Sequence, residues 1–165
     1  MKDLKNLYEK LGFQHVQTYV QSGNVVFGSN LNNLDQLEQK IEIGITTEFG
    51  LSVKVLVKKA SFLKVLEKNN PFLKRNEVEK GTLYVSFLSQ KPDPTLIPLL
   101  QSMVTNGEEW HWEETEIYLY CPKGYGKTKI SNPFLEKKLN VWSTTRNWKT
   151  IEALRSIFEN SLYGE

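Results

Sequence analysis

The sequence predicts an α+β fold built from two small ferredoxin-like subdomains, each with a split β-α-β arrangement. Three observations lead to this prediction. Some segments repeat apolar residues at helical spacing, others alternate them as strands do, and a polar stretch separates two similar series of such segments. We therefore expect subdomains at 1–70 and 82–165, a linker at 71–81, and an extra helix at the end of the second subdomain.

A helix and a β-hairpin are predicted at the start of the chain. Leucines and a tyrosine share one face of the helix, which ends at Gly12 because glycine tolerates the left-handed conformation just past a helix. Two runs of β-forming residues follow over 13–28. The residues Ser22-Gly23-Asn24 between them predict a tight turn, so this segment is expected to be a hairpin.

A second helix, a strand and a short helix complete the first half. We expect Ser29 or Asn30 to cap the second helix and Gly50 to end it. The acidic residues of this helix have the spacing of a solvated face, and they are Asp35, Glu38 and Glu42. Alternating valines over 53–58 predict a strand, and apolar spacing over 60–69 predicts the short helix.

The second half predicts, in order, a strand, a helix, two strands and two helices. Their expected ranges are 83–88, 92–104, 110–112, 117–121, 132–139 and 147–162. Asn132-Pro133 is expected to cap and begin the first of the two final helices, since proline is favoured at the first helical position.

Composition narrows the class of protein. Charged residues make up 24% and aromatic residues 12% of the chain, which is typical of a globular protein. The formal net charge of +2 is too small to indicate a nucleic-acid-binding protein by itself. The chain has one cysteine, Cys121, and no apolar run near the ~18 residues of a membrane span. We therefore expect a cytoplasmic protein that has no internal disulfide and does not bind membranes.

Few residues suit catalysis or metal binding. His15 and His111 are the two histidines, and neither has a motif partner that would make a zinc site with Cys121 or a triad with Ser22. We expect no metal and no cofactor, and we favour a binding protein over an enzyme.

The segment 123–129 carries the most suggestive local chemistry. A phosphate loop would need glycine at Cys121, and a dinucleotide fingerprint would need glycine at Lys129, so neither motif is complete. Glycines do allow a backbone to approach a ligand closely, and lysines surround them with positive charge. The candidate ligand-binding residues here are Lys123, Gly124, Gly126, Lys127 and Lys129. The alternative is an ordinary connection with solvated lysines.

Arg146 and Asn147 form a second candidate for anion binding, at the predicted start of the last helix. An arginine fork and a helix N-terminus both suit a phosphate or a carboxylate, and we expect Arg146 to lie beside the loop at 123–129. The alternative is structural: Thr145 or Asn147 caps the helix, Trp148 packs, and Arg146 forms an ion pair.

Aromatic residues precede these lysines, and they are Trp110, Trp112, Tyr118, Tyr120 and Tyr125. Surfaces that combine aromatic and basic residues bind single-stranded nucleic acid by stacking and charge. Five glutamates between 108 and 116 oppose this interpretation, and aromatic residues on strands usually face a core.

Two segments have the character of family signatures, Thr18–Phe27 near the start and Thr144–Trp148 near the end. Together with Asn70-Pro71-Phe72 and the segment 126–148, they resemble the domain of unknown function 1697 family. The activity of that family is unassigned, so the resemblance predicts relatives and a fold but no chemistry.

The resemblance also predicts that the first subdomain lacks its opening strand. Relatives carry an apolar strand and a glycine-rich turn ahead of the helix with which this chain begins. We therefore expect roughly twenty residues to precede Met1 in a longer natural protein. The alternative is that another strand or self-association covers the gap.

The function predicted from the sequence is that of a small module that binds an anionic ligand, either nucleic acid or a phosphorylated metabolite. Two alternatives stay open. One is an enzyme with a cleft between the subdomains, in which Gln21, Ser22 and Asn24 face Arg146; these three turn residues are therefore candidate ligand-binding residues as well. The other is a structural protein that self-associates, with a homodimer formed through the uncovered sheet of the first subdomain.

Overall fold

Segments with helical and with alternating apolar patterns form a mixed α+β fold with two antiparallel sheets. The structure is a computed structural model and describes residues 1–19 and 22–163. The chain divides into two compact units, Met1–Phe62 with Ala153–Glu165 and Leu63–Glu152. The ends of the subdomains expected from the sequence, at 70 and 82, stay a prediction.

The first unit contains the predicted helix, hairpin and second helix. They are α1 (Lys2–Lys10), β1 (Gln14–Tyr19), β2 (Asn24–Gly28) and α2 (Leu34–Phe49), and β1 pairs with β2 antiparallel. Gly12 and Gly50 follow the two helices with φ of 86° and 67°, as predicted for glycines past a helix end.

One apolar core holds this unit together. Its buried members come from both helices and the hairpin, and they are Leu7, Tyr8, Phe13, Val16, Leu37, Ile41 and Ile45. The rings of Tyr8, Phe13 and Phe27 lie 4.6–5.6 Å apart between centroids, in the tilted and edge-on arrangements that aromatic pairs prefer. The helices are thereby fixed against the hairpin.

The second unit is a four-stranded sheet with helices. Its elements are α3 (Phe62–Asn69, which begins at the boundary of the units), β3 (Leu83–Leu88), β4 (Glu109–Glu113), β5 (Glu116–Tyr120), α4 (Asn132–Leu139) and β6 (Ser143–Asn147), followed by α5 (Trp148–Tyr163), which continues into the first unit. The strand order is β4-β5-β3-β6, and every neighbouring pair is antiparallel.

The core of this unit covers one face of that sheet. Residues of β3 and β5 pack there with α4 and with the 3-10 helix Pro94–Met103, and the buried members include Leu88, Leu100, Leu119, Cys121 and Leu135. This packing places the connection between β5 and α4 at the edge of the core.

The predicted strand at 53–58 is wrong. These residues form no ladder, and they contact α2 instead. The amide of Val55 donates to Glu42 Oε1 at 2.9 Å, and that of Val57 donates to Glu38 Oε1 at 2.8 Å. Glu38 and Glu42 are therefore not part of a merely solvated face, because they satisfy backbone donors that a neighbouring strand would otherwise satisfy.

The predicted caps of two helices are also wrong. Asn33 caps α2 by accepting a hydrogen bond from the Gln36 amide at 3.0 Å, whereas Ser29 accepts one from the Leu31 amide in a local turn. Ser131 caps α4, one residue before the predicted Asn132. Several neighbouring residues have cap chemistry in each case, and the direction of the incoming chain selects among them.

The predicted helix at 92–104 is a 3-10 helix over Pro94–Met103. Pro98 lies inside it and has no amide proton, and a proline ring clashes with the carbonyl four residues earlier in an α-helix. The tighter 3-10 turn is the form that this sequence adopts.

The strand β6 was not predicted. Its residues directly precede α5, and they pair with β3 through five register positions from Leu88–Ser143 to Tyr84–Asn147. All five residues of β6 are polar, so the alternation that identifies a strand is absent and only the pairing reveals it.

The start of the predicted linker at 71–81 is packed into the second unit. Phe72 is buried beside Tyr120, with 6.2 Å between the ring centroids. Arg75 donates two hydrogen bonds to the carboxylate of Glu109, at 2.8 and 2.6 Å.

Across the described ranges 1–19 and 22–163, none of the helices has the length and apolar content that a membrane span needs.

Candidate functional site

The loop between β5 and α4 carries the lysines and glycines singled out in the sequence. Gly124 has φ of 87° and ψ of 155°, a conformation that side-chain-bearing residues rarely adopt. A single 3-10 turn, Tyr125–Lys127, follows it. Lys123, Lys127 and Lys129 are all exposed on this loop, so the sequence places three ammonium groups around one fixed turn.

Tyr125 fastens the loop to the sheet. Its ring lies 5.2 Å from the ring of Tyr84 on β3, and its hydroxyl donates to Thr145 Oγ1 on β6 at 3.2 Å. Burial raises the pKa of the Tyr125 phenol, although hydrogen bonds with Thr145 and Asn132 act in the opposite direction. The hydroxyl therefore stays protonated and continues to donate.

Thr145 is the centre of a network of hydroxyl groups. Its Oγ1 lies 2.7 Å from Ser86 Oγ on the neighbouring strand and donates to Asn132 Oδ1 at 2.7 Å. Ser143 Oγ donates to the same Asn132 oxygen at 3.0 Å. These contacts join β3, β6 and the start of α4, and such a satisfied network favours a single arrangement of the loop that α4 follows.

A buried carboxylate supports the other side of the loop. Glu108 is 4% exposed, and its Oε2 accepts hydrogen bonds from the amides of Thr105 at 3.0 Å and Asn106 at 2.7 Å. Asn106 Nδ2 in turn donates to the Lys127 carbonyl oxygen at 3.0 Å. The backbone at Lys127 is thus held by a turn that Glu108 organises.

The ionisation of Glu108 follows from these contacts. Burial raises the pKa of its carboxyl, but hydrogen bonds from the Asn106, Glu108 and Thr105 amides and from the Thr128 hydroxyl outweigh that effect. The pKa therefore lies below its ordinary value, and the carboxylate stays charged beside the basic loop at neutral pH.

Positive charge is concentrated around this loop. The segment 122–139 contains five lysines and one glutamate, in a chain whose formal net charge is only +2. That glutamate, Glu136, accepts a hydrogen bond from the Ser143 amide at 2.9 Å. In the part of the chain that the structure describes, no side-chain hydrogen bond or ion pair engages Lys123, Lys127 or Lys129. Their charges are available to a ligand.

Two of the glutamates near the loop in sequence form ion pairs with other residues. Glu109 pairs with Arg75, and Glu114 pairs with Lys91 at 3.1 Å. These two pairs reduce the negative charge that opposes the lysines, whereas Glu108 keeps its charge beside the loop, where backbone amides hold it.

The aromatic residues of this region face a core, as residues on strands usually do. Trp110, Trp112 and Tyr125 pack against the core of the second unit, and Tyr118 is 1% exposed. The first three are partly buried and Tyr118 is buried, so none of the four is a fully exposed ring of the kind on which unpaired bases stack.

Arg146 lies on β6, not at the helix start that the sequence predicted. Neighbouring residues of a strand point to opposite faces, so Arg146 points away from the face on which Thr145 meets Tyr125. It donates to Thr144 Oγ1 and to the Thr145 carbonyl, each at 2.8 Å, and burial lowers the pKa of its guanidinium. The expected convergence of Arg146 with the lysine loop does not occur on this sheet.

Asn147 has a structural role. Its Oδ1 accepts a hydrogen bond from the Lys149 amide at 2.9 Å, and its Nδ2 donates to the Gly81 carbonyl at 2.9 Å. It therefore satisfies a free amide at the start of α5 and ties that start to the residues before β3.

The turn residues of the hairpin belong to the first unit. Ser22 is exposed, and Asn24 is 8% exposed with its Nδ2 donating to Ser22 Oγ at 2.7 Å and to the Tyr19 carbonyl at 3.3 Å. Asn24 thus stabilises the turn. Gln21 lies outside the described residues.

Sequence reasoning missed Glu108, Asn106 and Asn132 as parts of this site. The sequence indicates Glu108 only as one of five acidic residues close to the lysines, and Asn132 only as a helix cap. Asn106 and Asn132 make contacts more than ten positions away, with Lys127 and Thr145, and no local pattern signals such a contact. Glu108 accepts from amides only two and three positions away, but its burial depends on the packing of the whole unit.

No cluster of three or more histidine, cysteine or carboxylate residues suited to a metal ion is present among residues 1–19 and 22–163.

Comparisons with known proteins give relatives but no activity. A family model described as "Protein of unknown function (DUF1697)" matches residues 1–118, a match that ends before the lysine loop. The structure of the conserved bacterial protein SP0830 from Streptococcus pneumoniae is similar at 20% sequence identity and a TM-score of 0.68, covering 96% of this chain and 88% of that one. At this identity the likeness concerns the fold alone. A search of curated proteins finds no match.

Proposed function

The chain belongs to the DUF1697 family of proteins of unknown function, and from that premise we propose that it is a small module that binds an anionic, phosphate-bearing ligand at the loop between β5 and α4. The observation that carries this proposal is the set of three exposed, unpaired lysines on a loop whose backbone is held from two sides. Phosphate oxygens accept charge-assisted hydrogen bonds from such ammonium groups. A backbone held in advance reduces the conformational entropy lost on binding.

The two glycines support the approach of a ligand. A methyl group added at Gly124 or at Gly126 would meet no atom within 4 Å, so the space above both residues is open. A compact anion therefore has room beside the backbone, and the lysines on either side supply its counter-charge.

Of the two ligand classes, packing favours a phosphorylated metabolite over nucleic acid. Binding of single strands relies on bases that stack on exposed aromatic rings. Here Trp110, Trp112 and Tyr125 pack on the core, and Phe49 of the first unit is the one aromatic residue among the large exposed apolar side chains of the described ranges. Arg146, which belongs to the opposite face of β6, is not part of the proposed site.

The test compares charge-reversal variants. Lys127→Glu combined with Lys129→Glu reverses two charges of the loop, and Lys64→Glu combined with Lys68→Glu makes the same change in net charge on α3. Inorganic phosphate, pyrophosphate, single-stranded RNA and single-stranded DNA serve as probes, titrated over a range of salt. We expect the loop variant to lose at least tenfold in affinity and the α3 variant to keep wild-type affinity.

The outcomes separate the ligand classes. Binding of pyrophosphate but not of the oligonucleotides supports a metabolite. Oligonucleotide binding with a logarithmic salt slope of about −2, as three released counterions give for a single strand, assigns the loop to nucleic acid. Equal loss in both variants, or no binding of any probe at low salt, would falsify the proposal.

We also propose the type of subdomain and the cellular location of the protein. The strand order and antiparallel pairing of the second unit support a ferredoxin-like arrangement there, and we propose the same type of subdomain for the first unit. A single buried cysteine without a disulfide among the described residues supports a reducing, cytoplasmic location. Two alternatives stay predictions from the sequence. One is self-association through the hairpin sheet, and the other is an enzyme in which Gln21, Ser22 and Asn24 face Arg146.

A further inference from the structure

An open groove of about 580 Å³ lies between α1 and α2 in the first unit. Apolar residues of both helices, Leu7, Leu11 and Ile43, line it together with Gly44. Lys40 and Glu48 lie on the same face of α2, about one turn before and one turn after Gly44. The groove is separate from the lysine loop, which belongs to the second unit.

Gly44 lets the two helices pack closely. It is buried, and a methyl group at its Cα would lie 3.0 Å from Leu11 Cδ1 and 3.4 Å from Leu7 Cδ1. The absence of a side chain therefore lets α1 approach α2 closely, and Leu11 and Leu7 fill the space over the glycine and form part of the apolar lining of the groove.

Ile43 stands at the side of this groove as a projecting apolar side chain. It is 67% exposed, the largest exposed fraction among the large apolar side chains of the described residues. A projecting apolar side chain thus lies next to an apolar groove.

We propose that this groove is a two-fold interface with a second copy of the same chain. When two α2 helices pack antiparallel with the two-fold axis near Gly44, the Ile43 of each copy lies over the groove of the other. Such an isologous contact needs a surface that complements itself, and a projecting apolar side chain next to an apolar groove meets that requirement.

The charges on the groove face fit the same symmetry. Lys40 and Glu48 lie four residues before and after Gly44, so the three share one row along the helix. In the antiparallel pair, Lys40 of one copy faces Glu48 of the other. The two-fold symmetry repeats this contact, so the dimer has two Lys40–Glu48 ion pairs. The chain's own Lys10 already contacts Glu48 Oε1 at 2.6 Å, and this carboxylate would then lie between two ammonium groups.

The contact is small, because each copy contributes one strongly exposed apolar side chain. Stable interfaces bury about 800 Å² on each partner, and the region between two helices falls below this. We therefore expect a weak dimer whose population rises with protein concentration rather than an obligate one.

Analytical ultracentrifugation over a wide range of concentration tests the proposal. We expect the wild type to shift reversibly from monomer to dimer, and Ile43→Asp to weaken dimerisation at least tenfold. Leu99→Asp is the matched control, since Leu99 is 42% exposed in the second unit and its replacement should leave the dimer unchanged. Circular dichroism checks that each variant is folded.

Charge reversal gives a second, independent readout. Lys40→Glu and Glu48→Lys should each weaken the homodimer, because like charges then meet at both ends of the contact. A mixture of the two variants restores opposite charges at both ends, so we expect a heterodimer to form in the mixture.

Two results would overturn the proposal. One is a wild-type chain that stays monomeric at every concentration. The other is a dimer that persists in Ile43→Asp, which would assign self-association to another surface such as the hairpin sheet.

Discussion

At the scale of single residues, Gly124 and Tyr125 determine the course of the lysine loop for two different reasons. Gly124 adopts φ of 87° and ψ of 155°, which glycine reaches without strain and other residues do not. Tyr125 contributes packing against Tyr84 and a hydrogen bond to Thr145. Gly124 thus allows the backbone conformation of the loop, and the next residue, Tyr125, attaches the loop to the sheet.

Gly124→Ala should lower the free energy of unfolding by about 1–3 kcal/mol, the usual cost of such a backbone conformation in a residue with a side chain. No atom lies within 4 Å of the added methyl group, so steric contact contributes nothing. Urea unfolding followed by tryptophan fluorescence measures the change.

Gly126→Ala is the control for this prediction. Its φ is not in the left-handed region, and its surroundings are equally open. We expect its free energy of unfolding to change by less than about 1 kcal/mol, or to rise slightly because alanine restricts the unfolded chain. Equal losses in the two variants would contradict a conformational role for Gly124.

At the scale of elements, side chains of a helix replace a neighbouring strand for the segment 53–58. Its valines have the alternation of a strand, yet the amides of Val55 and Val57 donate to Glu42 and Glu38 on α2. Lys54 also lies 3.7 Å from Glu42. An extended segment can therefore be held in place without a ladder when carboxylates meet its amides.

Replacing both glutamates should release this segment. We expect Glu38→Ala combined with Glu42→Ala to speed hydrogen exchange at Val55 and Val57 by about tenfold or more, since hydrogen bonds to charged groups contribute about 1.5–3 kcal/mol. Exchange followed by mass spectrometry on peptides covering 51–60 measures it.

Gln39→Ala on the same helix is the control, because Gln39 is exposed and alanine preserves the helix. Exchange in 51–60 should match the wild type in this variant. Wild-type exchange rates in the double variant would show that the two carboxylates do not hold the segment.

At the scale of the whole molecule, the only cysteine of the chain reports on the core of the second unit. Cys121 is 1% exposed and lies in that core. Burial raises the pKa of its thiol to about 12, the charge of Glu108 adds to the increase, and a hydrogen bond from Thr128 reduces it. The thiolate that reacts with disulfide reagents is therefore scarce in the folded protein.

We expect Cys121 to react with a chromogenic disulfide reagent only as fast as the second unit opens, and to react at once in concentrated denaturant. The rate should follow the stability of the unit when urea is added in steps below the unfolding transition. Fast labelling of the folded protein at neutral pH would contradict the burial of this residue.

The sequence by itself determined features that depend on nearby residues. Gly12 and Gly50 end helices, and residues 13–28 form a hairpin, because each of these signals depends on backbone preferences within a few positions. The α+β class and the exposed lysines of the 123–129 loop follow from the same local patterns.

Only the tertiary structure decided features that require distant partners. Side chains of α2 hold the segment 53–58, and β6 forms by pairing with β3. Arg146 lies on the face of β6 opposite Tyr125, and Asn106 connects Glu108 to the backbone of Lys127. The physical reason is that a strand needs a free neighbouring edge, and a charged side chain needs a specific partner in space. Periodicity along the chain shows which residues share a face, but the packing of the elements determines what that face meets.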